Sequence, residues 1–378
     1  MSRLTASELC REDYEVLRTN ALPQEYKQLS EQQLDRRIAE ARAQLGDRVI
    51  ILGHHYQRDE IIKFADYRGD SLKLAQQAAK HRDVPFIVFC GVHFMAEAAD
   101  ILTGDNQTVI LPNLEAGCSL ADMAEIGQVE TCWEELGRAG VTEGLVPVTY
   151  INSAADLKAF VGQHGGIVCT SSNAPKIATW AFEQGQRLLF FPDQHLGRIT
   201  AIDLGIPLEE ILLWDPTEPY GGHTPEALQK AKVFLWKGHC SVHTRFKIEQ
   251  IQKARREYPA LQVVVHPECT LDVVQAADAY GSTEFIIQKI RESVPGSQWA
   301  VGTEINLVNR MADEMPDKII SCLDPIVCPC STMYRIHPAY LCWALENLAQ
   351  GKVVNPIKVP PEIAHGARIA LERMLKVT

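Results

Sequence analysis

Three cysteines stand in loops, outside any strand or helix pattern. Cys118 lies in Glu115-Ala-Gly-Cys-Ser-Leu and Cys240 in Lys237-Gly-His-Cys-Ser-Val-His. Cys330 closes Cys322-Leu-Asp-Pro-Ile-Val-Cys-Pro-Cys. Pro329 has a fixed φ and no amide N–H, which excludes a helix or an inner strand there. Each third of the chain supplies one of these thiols. If the three meet, they hold one metal centre. Soft thiolates suit an iron–sulfur cluster; three sulfurs also suit zinc, and spacing alone does not choose. Three thiolates are one short of the usual four for a cubane cluster. The missing ligand leaves a metal position open, as catalytic sites do. A metal with an open position acts as a Lewis acid on a hydroxyl, carbonyl or carboxylate.

A second set of reactive types stands where apolar runs end. His54 and Tyr56 follow Val49-Ile-Ile-Leu-Gly, Tyr150 and Asn152 follow Leu145-Val-Pro-Val-Thr, and His266 and Glu268 follow Leu261-Gln-Val-Val-Val. His, Tyr and Glu can move protons, and burial beside a metal would tune them. A third set, Ser71, Ser171 and Thr283, stands where polar loops open helical patterns. Hydroxyls and unpaired N–H groups at a helix start bind anions. Three such places suggest a multiply anionic substrate or two substrates, such as a dicarboxylate and a phosphate ester.

The elements that must position these residues recur three times. Each unit has a continuous β-branched run, read as a strand buried on both faces of a parallel sheet. Polar groups at its carboxyl end sit where open α/β sheets bind ligands. A capped helix follows, with Pro175 placed for a first turn, and each unit ends in a cysteine loop. The pattern predicts an α/β fold of three pseudo-threefold-related αβα sandwich domains with parallel sheets around a central active site. The expected divisions are a helical segment 1–45, domains 46–128, 129–242 and 243–345, and a C-terminal helical tail 346–378. Leu34, Ile38, Ala41 and Leu45 give the first segment its apolar face. The Pro- and Gly-rich stretch 193–232 reads as an insertion at the surface or rim.

Composition removes other classes. The chain has 378 residues and a net charge of −11, which argues against nucleic-acid and anionic-membrane binding. No apolar run reaches spanning length. The N-terminus has no apolar signal core, so a cytoplasmic location is expected. Eleven cysteines without a signal core point to thiol or metal work rather than a disulfide frame. Cys90, Cys169, Cys132 and Cys342 fit core packing, and Cys10 lies in the N-terminal segment.

The chain resembles the quinolinate synthase A protein family. The motifs are Leu52-Gly-His-His-Tyr-Gln, Gly69-Asp-Ser-Leu, Gly91-Val-His-Phe-Met-Ala-Glu-Ala-Ala, Leu111-Pro-Asn, Gly117-Cys-Ser-Leu-Ala-Asp-Met, Tyr150-Ile-Asn-Ser and Cys169-Thr-Ser-Ser-Asn-Ala. They continue with Trp236-Lys-Gly-His-Cys-Ser-Val-His, His266-Pro-Glu-Cys, Gly281-Ser-Thr-Glu and Gly302-Thr-Glu. The resemblance implies condensation of iminoaspartate with dihydroxyacetone phosphate to quinolinate, in NAD biosynthesis. It also implies a 4Fe–4S cluster held by three cysteines, and functional coupling to L-aspartate oxidase. Carried over by position, Cys118, Cys240 and Cys330 are the cluster ligands. Cys330 is chosen over Cys322 and Cys328 by its spacing in the longer-chain branch. His54, Ser71, Tyr150, Asn152, Ser171, His266, Glu268 and Thr283 match substrate-binding positions. Tyr56, Glu268 and His54 are the catalytic set. His55 departs from the family's usual Asn and takes no role. Two other classes share part of this chemistry: an aconitase-like iron–sulfur hydro-lyase acting on a small carboxylic acid, and a non-catalytic iron–sulfur redox sensor.

Overall fold

The structure, a computed structural model, describes residues 15–104, 106–324 and 329–377. Cys10 and Cys328 lie outside the described residues. The first strands are β1 (Glu15–Leu17), β2 (Val49–His54), β3 (Tyr67–Gly69), β4 (Phe86–Cys90) and β5 (Thr108–Ile110). Next come β6 (Leu145–Tyr150), β7 (Ile167–Cys169), β8 (Arg187–Phe191), β9 (Ile211–Trp214) and β10 (Val233–Trp236). The last are β11 (Gln262–Val265), β12 (Ala279–Tyr280), β13 (Gln298–Gly302), β14 (Ile319–Cys322), β15 (Lys352–Val354) and β16 (Pro356–Ile357).

Among the described residues these strands form three α/β sheets, ordered β3-β2-β4-β5-β16, β7-β6-β8-β10-β9 and β12-β11-β13-β14, and a small β1-β15 pair. Every pairing is parallel except β16 with β5. Each α/β sheet places its first strand between its second and third. β2 and β6 are buried at every position. That burial needs helices on both faces, so the side chains run apolar without alternation. The helices repeat as well. Ser71–Lys80, Ala174–Gln184 and Thr283–Arg291 follow the second strands, and His93–Leu102, Gln194–Asp203 and Ile305–Glu314 follow the third.

The chain gathers into two compact units, Met1–Cys118 with Pro329–Pro360, and Ser119–Cys328 with Pro361–Thr378. The first holds the β2 sheet. The second holds both the β6 and the β11 sheets, so the threefold pattern is one of sheets, while compactness divides the chain in two.

In the first unit, helix Glu31–Leu45 buries Leu34, Ile38, Ala41 and Leu45, as its spacing predicts. Ser30 and Gln33 close its start with a reciprocal capping box. Arg37 grips Glu346 of helix Pro338–Ala349 through two bonds, Nε at 2.6 Å and Nη2 at 2.5 Å. In the second unit, helix Pro361–Val377 lies against helix Ala155–Gln163 at a glycine contact. A Cβ on Gly162 would stand 2.0 Å from the Gly366 carbonyl oxygen.

Two expectations are corrected. The stretch 193–232 is not an insertion throughout. It opens with helix Gln194–Asp203, which matches the helix after the third strand in the other sheets, and Asp193 is fully buried. Only the later part, with edge strand β9, adds to the shared plan. Its Pro and Gly content concealed a regular helix and strand. Nor is 346–378 a simple tail. Its helix end, β15 and β16 complete the first unit, and only Pro361–Val377 joins the second.

Candidate functional site

The three sheets build the same local arrangement at their carboxyl ends. His54 pairs with Gly69, Tyr150 with Cys169 and Val265 with Tyr280. Two or three residues past each pair stand Tyr56 and Ser71, Asn152 and Ser171, and Glu268 and Thr283. Each sheet thus puts a proton-moving or amide residue and a hydroxyl residue just past the carboxyl ends of neighbouring strands. Ser71 and Thr283 are first residues of their helices, after the capping residues Asp70 and Ser282. Ser171 lies three residues before the first residue of its helix, in the turn before the cap Asn173. Thr283 is buried, and Ser71 and Ser171 are half-buried.

In the first unit, β2 buries His54 and His55. The Tyr56 amide donates to His54 Nδ1 at 3.1 Å, and the two rings meet edge-on at 4.8 Å.

The second unit assembles the most developed cluster. Tyr150 donates to Glu268 Oε1 at 2.6 Å, and His243 Nδ1 meets Glu268 Oε2 at 2.7 Å. His243 Nε2 lies 3.1 Å from Thr303 Oγ1, and its ring stacks on His266 at 4.4 Å. His243, His266, Glu268, Thr303 and Tyr150 are all buried. Burial opposes ionisation of Glu268. The imidazoles and the bonds from His243 and Tyr150 outweigh it and hold the carboxyl well below the usual carboxylate range. Burial, then the nearby His243, pushes His266 down to about 3. So Glu268 is a buried carboxylate that stays charged, with a phenol on one oxygen and an imidazole on the other.

Beside Tyr150, the Oδ1 of Asn152 is buried and accepts no hydrogen bond among the described residues. An orphan acceptor at a sheet end suits a ligand donor. The loop below is fixed from inside. Ser153 Oγ donates to the Tyr150 carbonyl at 2.8 Å, and the buried Lys158 ammonium donates to the Ser153 carbonyl.

Sequence reasoning missed His243 and Asp193. His243 ends the motif that carries Cys240, and its Cys-x-x-His spacing was the available signal. Asp193 caps helix Gln194–Asp203, accepting from the His195 and Leu196 amides at 2.8 and 2.7 Å. Burial, then the charge of Glu268, pushes its carboxyl well above the usual range. Its signal was the Phe-Phe-Pro-Asp end of an apolar run.

The cysteine loops also repeat. Cys118, Cys240 and Cys330 are each followed by Ser, and each comes three residues before a 3₁₀ turn: Ala121–Met123, His243–Arg245 and Met333–Arg335. Cys322 and Cys328 are followed by Leu and Pro instead. Cys118, Cys240 and Cys330 are half-buried, whereas Cys90, Cys132, Cys169, Cys269 and Cys342 are buried. Burial pushes the Cys90 and Cys342 thiols up to about 12 and the other three well above their ordinary value. Those five are core thiols, as expected for Cys90, Cys132, Cys169 and Cys342. Cys322 is half-buried at the end of β14, and burial raises its thiol too. A donor set of three accessible thiols on loops fits soft-metal chemistry. Ligand atoms of Cys240, His243 and Glu268 also lie within 4.8 Å of one another. The hydrogen bond between His243 and Glu268 accounts for much of that closeness.

Comparison with known proteins gives the family. The family model described as Quinolinate synthetase A protein matches residues 36–376. A protein named quinolinate synthase from Corynebacterium glutamicum is 59% identical over 360 residues, covering 95% of this chain and 91% of that protein. One of the same name from Herpetosiphon aurantiacus is 57% identical over 357 residues, covering 94% and 95%. A third, from Anoxybacillus flavithermus, is 55% identical over 359 residues, covering 94% and 96%.

Proposed function

Because the chain belongs to the quinolinate synthetase A protein family, we propose that it is a quinolinate synthase of NAD biosynthesis. It condenses iminoaspartate with dihydroxyacetone phosphate and releases phosphate and two waters. The observation that carries the chemistry is the charged, buried Glu268 between Tyr150 and His243. The reaction must remove protons from carbon and eliminate hydroxyl groups, which requires a base held out of water with an acid beside it.

In this reading Cys118, Cys240 and Cys330 hold a 4Fe–4S cluster. When bound, the cluster's open iron supplies a Lewis acid for the oxygen to be lost. Glu268 takes protons, and Tyr150 stabilises its charge and keeps it oriented. Tyr56 and His54 serve as the second acid–base pair. Asn152 and the hydroxyls of Ser71, Ser171 and Thr283 hold the substrate carboxylates and phosphate, with His266, kept neutral, as a further donor. The substrates are small molecules, the imine being supplied by an L-aspartate oxidase, and the work is cytoplasmic. Among the described residues, no helix is long and apolar enough to cross a membrane.

The test is anaerobic purification, iron and sulfide analysis, and a quinolinate assay with both substrates. Cys118→Ala is expected to lose iron, sulfide and turnover together. A variant without iron that still made quinolinate would overturn the reading. One observation favours a second reading, the closeness of Cys240, His243 and Glu268, which suits a single divalent ion. One metal ion per chain without sulfide would favour it.

A further inference from the structure

In two of the three cysteine turns the third residue's carbonyl accepts from a side chain on the approach to a different cysteine, and in the other the third residue's guanidinium lies near such a side chain. In the first unit, Asn113 Nδ2, five residues before Cys118, donates to the Arg335 carbonyl at 3.0 Å in the turn after Cys330. In the second unit, Trp236 Nε1, four residues before Cys240, donates to the Met123 carbonyl at 2.7 Å in the turn after Cys118. Also there, Asp324, on the approach to Cys330, lies 3.8 Å from the Arg245 guanidinium in the turn after Cys240. Asn113, Trp236 and Asp324 are all buried.

The Cys330 turn is held more tightly still. Gln57 Nε2 donates to the Met333 carbonyl at 3.1 Å, and Arg58 Nη2 to the Tyr334 carbonyl at 2.6 Å. With Asn113, three consecutive carbonyls are each taken by a different side chain. The Arg58 guanidinium also lies over the Tyr334 ring at 3.4 Å, and Arg335 Nη1 returns to Glu115 Oε2 at 2.6 Å. Asn113 Oδ1 in turn accepts the Glu115 amide at 3.0 Å, so its amide is fixed on both sides.

We propose that Asn113, Trp236 and Asp324 are positioning residues for the three thiolates, each joining one cysteine turn to the approach of another. The proposal rests on the ligand reading of Cys118, Cys240 and Cys330. A loop carbonyl that keeps its donor holds one conformation, and a ligand on such a loop loses less freedom when it binds. Removing the donor strips a part-buried turn carbonyl of its side-chain partner and lets the thiol drift. These residues touch neither substrate nor iron in this account. Their effect appears in how long the metal is held and in how symmetric its field is.

The experiment uses anaerobically purified holoenzyme of the wild type, Asn113→Asp, Trp236→Phe and Cys330→Ser. Asn113→Asp keeps the acceptor for Glu115 and loses the donor to Arg335. Trp236→Phe keeps the ring and loses only its N–H. The readouts are iron and sulfide content, the rate of iron release to a chelator, the paramagnetic resonance spectrum of the reduced cluster, and the unfolding temperature of the metal-free chain. Both donor variants are expected to release iron about fivefold to tenfold faster, as the loss of one part-buried hydrogen bond allows, with an altered spectrum. Their metal-free unfolding temperature should stay within about 5 °C of wild type. Release rates and spectra equal to wild type, with Cys330→Ser stripped of iron, would overturn the positioning role alone. So would faster release with an unchanged spectrum and a metal-free chain destabilised to match, since the role would then be structural only. If Cys330→Ser keeps a full cluster, the ligand reading fails, and this inference fails with it.

Discussion

Glu268 carries its charge in a place closed to water, and its neighbours make that tolerable. Each oxygen has its own short partner, and a buried carboxylate so paired costs far less than an orphan. Glu268→Gln should keep its iron and lose turnover by at least about a hundredfold, the usual weight of a general base. Parallel iron analysis and quinolinate assays check this. Tyr150→Phe removes a 2.6 Å donor and should cost about tenfold in turnover, with a pH profile moved upward because Glu268 then binds its proton more readily. Turnover unchanged across pH would mean that the phenol has no part in tuning the base. His266 gives a stability signature. Its folded value of about 3 lies below the ordinary 6.5, so unfolding takes up a proton between those values. Stability should therefore fall as the pH falls through that window, by up to about 1.4 kcal/mol per unit. Denaturant melts of wild type and His266→Phe check it, and the variant's curve should be flatter. At this scale the sequence marks residue types at strand ends: Tyr150 bonds Glu268 and His266 lies 4.0 Å from it. His243 offered only its Cys-x-x-His spacing, which gives no sign of facing a glutamate 25 residues away. Nor was Asp193, since its burial depends on a helix that local Pro and Gly content hid.

Strand and helix repeats were the strongest signal at the next scale. Unbroken apolar runs specify strands covered on both faces, and all three first strands take that place. The sequence could not fix which strand stands beside which, since neighbours in a parallel sheet are separated by whole helices. Strand β9 is an example: its Ile-Leu-Leu-Trp run is short and lies among turn residues. The meeting of helix Ala155–Gln163 with helix Pro361–Val377 was equally hidden, because two glycines 204 positions apart give no sign of facing each other. Gly162→Ala would drive a methyl group against a backbone oxygen that has no rotamer to escape into. The expected cost is about 3 kcal/mol, read as a lower denaturant midpoint with an unchanged slope. Tolerance of alanine there would show that the two helices can separate cheaply.

Taken whole, the molecule sets Cys118, Cys240 and Cys330 on loops and its charge away from zero, and the proposed cluster would put distant segments under one constraint. A ligand that binds only the folded chain raises its stability by mass action. Removing iron should therefore lower the unfolding temperature of wild type and leave Cys118→Ala unaffected, as calorimetry of both forms would show. The two compact units also impose an order on synthesis. The first unit begins the chain but is completed by Pro329–Pro360, after all of Ser119–Cys328 has been made. At ~5–20 residues per second this gap lasts roughly 10 to 40 s. For that time the nascent β2 sheet lacks its β16 edge, and the partners of Gln57, Arg58 and Asn113 are still inside or behind the ribosome. Under the proposed three-thiol ligation, Cys118 would wait through that gap as a bare thiol, and loading with iron would belong to the end of translation, once Cys330 has emerged.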